Sequence, residues 1–365
     1  MGYELDRPTL IQSLVLLAYA TASRESDKGR RYWLNIAIGC TYQIGLNKQV
    51  ASSKPLKEQR LLRRIWWCCF VQDRLLALQL RTRAYICDGD FNIPLIALTD
   101  FDILDTQQLP SSDVGVKSWG VKEQTHIALL FIQKAKLCFS IGHVVNAQYS
   151  LLSRNPFEER VQGDHPGVEA VRSIPNGMGH GISVEKFESE LSVWLKSLPS
   201  QYSWKSQPEE NSRKSWMKLH QCLLQIIYLV TVSVLHEPHD SFPTLGIRDE
   251  ENFRSGLRAR EASSAIQCIL LELYASDFIR HIPANTVPLF VPTIINNLMA
   301  VGTSGIPENQ RPAKHPSDLL RMLEQLSESS LEARNAIPVL HALFVRLPSC
   351  KDVRLSESGG AFLDI

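Results

Sequence analysis

The most regular pattern along this chain is helical. From Leu56 to Leu80, apolar residues recur at Leu62, Ile65/Trp66, Cys69/Phe70 and Leu76/Ala77, the three-and-four spacing of one helix face. Pro55 stands where a first helical turn tolerates it. A shorter stripe at Trp33, Ile36/Ala37, Cys40 and Ile44 ends at Gly45, which suits a left-handed cap. Leu10 to Ala22 predicts another helix before it, so the first hundred residues read as three packed helices. After Leu80 the spacing stops. Tyr85-Ile86-Cys87-Asp88-Gly89-Asp90-Phe91-Asn92-Ile93-Pro94 is rich in turn formers and predicts a structured loop.

Helical spacing resumes over Val121–Tyr149, Val184–Leu198, Ser215–Leu235, Gly256–Phe278, Val287–Val301 and Leu319–Leu347, with Pro292 and Pro338 predicted to bend or break the last two. The stretches Asn155–Gly181 and Ser200–Arg213 are rich in Gly, Pro, Ser and charge and read as surface loops. Neither strand-like alternation nor a fixed repeat is visible, so the predicted class is all-α. One large irregular helical domain is expected over 1–350, with a flexible tail at 351–365. That tail mixes acidic and apolar residues, as a short activation segment would, although a frayed terminus is the simpler reading.

Composition narrows the function. The 39 Lys and Arg against 38 Asp and Glu leave a formal charge of +1. A nucleic-acid-binding module draws much of its affinity from phosphate neutralisation, so DNA contact through bulk charge is disfavoured. The 44% hydrophobic and 21% charged composition excludes disorder as the main state. No uninterrupted apolar run reaches the roughly 18 to 20 residues of a bilayer span. The run from Leu10 lacks a basic leader, so neither a membrane nor a secreted fate is expected. The eight cysteines include no Cys-x-x-Cys pair and read as small buried hydrophobes in a reducing compartment.

Catalytic motifs are wanting. His236-Glu237-Pro238-His239 superficially resembles a zinc-protease signature. Only two residues separate its histidines, however, and Pro238 ends the helix, so an exposed helix terminus is expected. Gly177-Met178-Gly179-His180-Gly181 follows no strand and lacks dinucleotide-binding spacing. No nucleophile elbow, phosphate-binding loop or carboxylate cluster can be assembled, so enzymatic activity is not expected. Asp73 is the most informative charge, because it lies on the apolar stripe of the 56–80 helix. Burial there demands a partner such as Arg74, Arg81, Arg83 or backbone donors, and predicts an internal ion pair fixing the loop after Leu80. At least one ring of Trp66-Trp67 should enter the core. The basic stretches Lys28-Gly29-Arg30-Arg31 and Lys57, Arg60, Arg63, Arg64 read as solvated helix faces, with a nuclear address or phosphate patch as the alternative.

Taken in order, several segments resemble the fungal-specific transcription factor domain, the regulatory middle homology region of zinc-cluster regulators. They are Asp6-Arg7-Pro8-Thr9-Leu10-Ile11-Gln12, Tyr32-Trp33, Gly45-Leu46, Arg63-Arg64-Ile65-Trp66-Trp67-Cys68-Cys69-Phe70-Val71-Gln72-Asp73-Arg74, Asp88 to Pro94 and Asp100-Phe101. The later half fits through Trp194-Leu195, Leu198-Pro199, the helix ending Leu235-His236-Glu237-Pro238 and the Ala262–Pro292 helical pair; the branch it looks most like is that of cutinase and xylanolytic activators. The resemblance implies a mostly helical, nuclear regulator whose motif residues are Arg64, Trp66, Trp67, Asp73, Arg74, Asp90 and Pro94. It also implies transcription machinery or a DNA-binding partner, a second copy, or a small-molecule effector as partners. Two departures stand out. Where the family carries Gly-Arg-Pro after the Asp-Arg helix, this chain has Arg81-Thr82-Arg83-Ala84, and the six-cysteine zinc cluster that reads DNA in typical members is absent. No cofactor is therefore expected on this chain, which reads as beginning inside the domain.

Overall fold

The computed structural model describes residues 6–20, 27–48, 54–103, 120–150, 174–175, 180–205, 216–237, 250–303 and 316–346. Local chemistry sets the ends of its helices. Helix α1 (Arg7–Ala20) starts behind Asp6, whose carboxylate accepts the Thr9 backbone N–H at 3.0 Å. Helix α2 (Asp27–Gln43) is followed by Gly45 at φ +73°, the left-handed residue its sequence predicts. Helix α3 (Leu56–Leu80) is preceded by Pro55, which sits in the cap position rather than inside the first turn. It ends at Arg81, a non-glycine at φ 53°, where the Thr82 N–H reaches back to the Ala77 carbonyl.

The remaining helices are α4 (Val121–Gln148), α5 (His180–Ser197), α6 (Trp216–Leu235), α7 (Glu250–Ala275), α8 (Val287–Thr303), α9 (Pro316–Ser327) and α10 (Leu331–Arg346). The fold is all-α. Its β content among the described residues is a two-residue antiparallel pairing of Tyr149–Ser150 with Ile174–Pro175, which the sequence pattern did not predict, and an isolated bridge between Lys48 and Asn92. The single helix expected over Leu319–Leu347 is two helices. Ser330 breaks it by capping α10, its hydroxyl oxygen accepting the Ala333 N–H at 3.4 Å. Phe278 lies beyond α7, which closes before Asp277 at φ 59°. Neither Pro292 nor Pro338 ends its helix: burial of Leu289, Phe290, Val291 and Ile294 on α8, and of Ala336 and Leu340 on α10, outweighs one missing backbone bond each. The tail at 351–365 and most of the Asn155–Gly181 segment lie outside the described residues.

Successive helices pack on one another. Helix α1 lies on α2, α2 on α3 and α3 on α4; α4 also packs against α5 and α6. Helix α6 meets α7 and α8, while α9 and α10 close against α7 and α8 respectively, and α3 also reaches α8. The buried side chains form one contiguous apolar cluster from Ile11 to Leu340. By length and composition α4 and α6 would be apolar enough to cross a bilayer, which counting uninterrupted runs did not register; here most of each lies inside the helical array.

Candidate functional site

Six of the seven motif residues, Trp66, Trp67, Asp73, Arg74, Asp90 and Pro94, meet where α3 packs on the loop at 85–94; Arg64 instead holds Asp100 and Asp102 beyond it. Trp66 and Trp67 are both fully buried, so both rings enter the core. Phe91 from the loop inserts among them, its centroid 5.5 Å from Trp66, 5.5 Å from Phe70 and 6.1 Å from Trp67, with edge-on or tilted rings. The Trp67 indole N–H donates to the Pro94 carbonyl at 3.1 Å, which fixes the far end of the loop. The middle is shaped by Asp90, whose carboxylate accepts the Cys87 N–H at 3.2 Å. The Asp90 carbonyl accepts the Asn47 amide at 2.9 Å.

Asp73 and Arg74 hold the near end. The Asp73 carboxylate accepts the backbone N–H groups of Tyr85 and Ile86, each at 2.9 Å, and stands 3.2 Å from the Arg74 guanidinium. Burial pushes the Asp73 pKa up, while Arg74 and the two N–H groups pull against that shift. Arg74 is wholly buried. It donates to the Ile86 carbonyl at 2.6 Å and to Asp88 at 2.6 Å, with its guanidinium 4.6 Å above the Phe70 ring. Its stem runs against α4 at Gly142, where a Cβ would stand 2.5 Å from Nε. Only glycine leaves the room.

From Arg74 the network reaches solvent. Asp88 lies 3.3 Å from Nε2 of His143, and Nδ1 of the same ring lies 2.9 Å from Glu190 on α5, which also accepts the Ser140 hydroxyl at 2.8 Å. With a carboxylate at each nitrogen, the ring is at home as an imidazolium. The hydrogen bond with Asp88 is the largest cause raising the His143 pKa to about 9, and the same contact lowers that of Asp88. The arrangement thus ties the loop and three helices, α3, α4 and α5, by alternating charge. It holds no activated nucleophile, and among the described residues no group of His, Cys, Asp and Glu is placed to hold a metal.

Several basic side chains read as solvated are engaged. Arg63 pairs with Asp100 at 2.7 Å, and Arg64 pairs with Asp102 at 2.7 Å while also donating to the Asp100 carbonyl. Both pin the 3-10 turn Leu98–Asp100. Arg30 is buried and donates to Gln79 and to the Asn285 carbonyl, and Arg31 donates to Thr82. His236 is also buried instead of exposed, because the end of α6 is covered by α5 and α7. Its ring stands 3.7 Å from Glu188 and 3.4 Å from the Ser255 hydroxyl, and burial lowers its pKa. His239 lies outside the described residues. Arg81 pairs with Glu237 through two contacts, at 2.9 and 3.2 Å, so the stretch replacing Gly-Arg-Pro keeps a left-handed turn and adds an ion pair.

Gly142, His143 and Glu190 belong to the site and were not singled out from the sequence, while Asp88 and Asp100 stood in segments that carried the resemblance without a role of their own. Gly142 alone left a signal, as an isolated glycine inside a helical pattern. The described cysteines are unpaired and, apart from the adjacent Cys68 and Cys69 on α3, lie on separate elements, with Cys87 and Cys268 exposed rather than buried; they do not fit a zinc cluster.

These features define an all-α protein whose central loop is locked to the core by charge. The fungal specific transcription factor domain model matches residues 3–225, and the chain belongs to that family. It is 30% identical to cutinase transcription factor 1 beta of Fusarium vanettenii over 93% of this chain and 39% of that protein. It is 29% identical to transcription factor cpaR of Aspergillus oryzae over 83% of this chain and 50% of that protein. With cutinase transcription factor 1 alpha of F. vanettenii the identity is 26% over 81% of this chain and 29% of that protein. The chain therefore spans half or less of the length of these relatives. No solved structure matches it.

Proposed function

We propose that this chain is the regulatory domain of a fungal transcription regulator acting in the nucleus, on a metabolic or secondary-metabolite gene cluster, without enzymatic activity. The observation that carries this reading is the family match over residues 3–225, supported by relatives named as transcription factors. The motif residues Trp66, Trp67, Asp73, Arg74, Asp90 and Pro94 serve as the lock that sets the conformation of the 85–94 loop, Arg64 holds the adjoining segment at Asp100 and Asp102, and residues 1–350 act as one unit. Partners of this unit are the transcription machinery, a DNA-binding protein, a second copy of the chain or a small-molecule effector. Zinc belongs to the DNA-reading module of the family; the cysteines of this chain do not supply that site.

A second reading, a helical interaction module that regulates a partner without touching DNA, draws support from one observation. Charge is balanced at +1, and Arg30, Arg31, Arg63 and Arg64 are spent on internal contacts. Fusing the chain to a heterologous DNA-binding module upstream of a reporter tests the regulatory role. Reporter output that changes with the fused domain, and changes again when Asp73→Asn loosens the lock, is the expected result. Output indifferent to both refutes it. Selective, salt-resistant promoter binding by the isolated chain would overturn the second reading.

A further inference from the structure

Helix α2 buries one face and leaves the other without charge. Leu34, Ala37, Ile38 and Thr41, none more than 2% exposed, point into the core. Tyr32, Ile36, Gly39 and Gln43 lie on the opposite side, with Tyr32 56% exposed, Gln43 exposed, and Ile36 and Gly39 partly so. From Tyr32 to Asn47 the sequence holds no charged residue. Pro8 to Ala20 on the neighbouring α1 holds none either, and Leu16 there is 67% exposed. Elsewhere exposed apolar side chains stand next to charge: Leu257 on α7 adjoins Arg258, and Leu195 on α5 adjoins Lys196. A water-exposed helix face of aromatic and aliphatic groups with no charge has the composition of an interface core.

The order of sizes along this stripe says what covers it. Its spacing of four, three and four residues is that of the seam between two packed helices. The N-terminal half carries bulk, Ile36 and Tyr32, the latter edge-on to Trp33 with ring centroids 5.0 Å apart. The C-terminal half carries Gln43 and Gly39, where an added Cβ would meet nothing within 4 Å. Turned about a two-fold axis level with Ala37 and Ile38, the stripe complements itself. Ile36 then seats over Gly39 of the partner subunit, and the Tyr32 hydroxyl reaches the amide of Gln43 of the partner subunit. Charge favours the same partner. At a formal charge of +1, two copies scarcely repel, whereas a nucleic acid or an acidic segment finds no cation on the stripe.

We propose that α2 is a self-association surface through which two copies of this chain pair antiparallel, α2 against α2. A helix of 17 residues is about 25 Å long, which places the contact at the small end of specific interfaces and makes the dimer reversible. The inference rests on the regulatory reading only in choosing one of its partners. Its assay uses neither DNA nor a reporter, so either can fail without the other.

Analytical ultracentrifugation of the full chain over roughly 1–100 µM tests it, and a concentration-dependent monomer–dimer equilibrium is expected. Gly39→Leu should weaken the dimer at least about tenfold, because the new side chain is unobstructed in the monomer but takes the place of Ile36 of the partner subunit. An unchanged circular dichroism spectrum shows that the fold is kept. Tyr32→Glu and Gln43→Lys should each weaken it similarly, and the double variant should return to within about threefold of the parent. The two positions lie about 17 Å apart along one helix, so the introduced charges meet across the seam and not within a chain. That recovery should fade at high salt. A chain monomeric at every concentration, or a dimer indifferent to all three single variants, overturns the proposal. Single variants that weaken the dimer without recovery in the double variant overturn the antiparallel pairing.

Discussion

Gly142→Ala is the sharpest probe of the lock. Added to α4, the Cβ would stand 2.5 Å from Arg74 Nε, 3.0 Å from Cζ and 3.2 Å from Cδ. Arg74 has nowhere to go, being fully buried, stacked over Phe70 and bonded to Asp73, Ile86 and Asp88. Overpacking of this kind costs about 1–3 kcal/mol, and weakening a charged hydrogen bond adds roughly 1.5 kcal/mol or more. The better helix propensity of alanine returns only about 1 kcal/mol, leaving a net loss of roughly 2 kcal/mol. Gly39 on α2 supplies the control, since a Cβ there meets nothing within 4 Å. Gly39→Ala should gain up to about 1 kcal/mol from propensity alone. Urea unfolding followed by far-UV circular dichroism measures both variants. If Gly142→Ala is as stable as Gly39→Ala, Arg74 does not occupy the position described and the lock is wrongly drawn.

Other consequences are as direct. Asp73→Asn leaves Arg74 short of one counter-charge and should cost about 3–5 kcal/mol, read as a lowered urea midpoint; unchanged melting would sink the pairing. His143 is raised from 6.5 to about 9 in the folded state, so its contribution is fully present below pH 6.5 and is lost as pH rises through 9. Stability of the parent chain should therefore fall more steeply across that window than stability of His143→Gln, and parallel profiles would refute the imidazolium. Arg81→Gly relieves a left-handed residue at φ 53° but breaks the Glu237 pair. In a Glu237→Gln background the pair is already weakened, and Arg81→Gly should then stabilise by about 1 kcal/mol in thermal unfolding. A loss in that background would show that Arg81 contributes otherwise.

Periodicity located the helices because each buries one face, and the stripe of α3 also exposed Asp73 as a charge needing a partner. That argument works only within one element. Arg63 and Arg64 meet acids nearly forty residues away, and His236 meets Glu188 and Ser255 from other helices, so no local pattern separates these side chains from solvated ones. The break between α9 and α10 was missed for the opposite reason. Ser329 and Ser330 interrupt the apolar spacing too briefly to register, although serine is a favoured helix N-cap and Ser330 takes that place ahead of α10. His143 and Glu190 could not be joined from sequence, since neither lies on a stripe whose burial demands a partner.

The family match ends at residue 225, inside α6, which runs from Trp216 to Leu235. Ile226, Ile227, Val230 and Val234, all buried, follow that point, and so do α7 and α8, which cover α6. A protein expressed only to the edge of the matched region would carry half of a core helix and leave its apolar face open to water. Such a fragment should be recovered as aggregate rather than as a smaller folded unit. For anyone choosing where to cut this gene, the natural boundary is set by the partners of α6 and not by where sequence similarity fades.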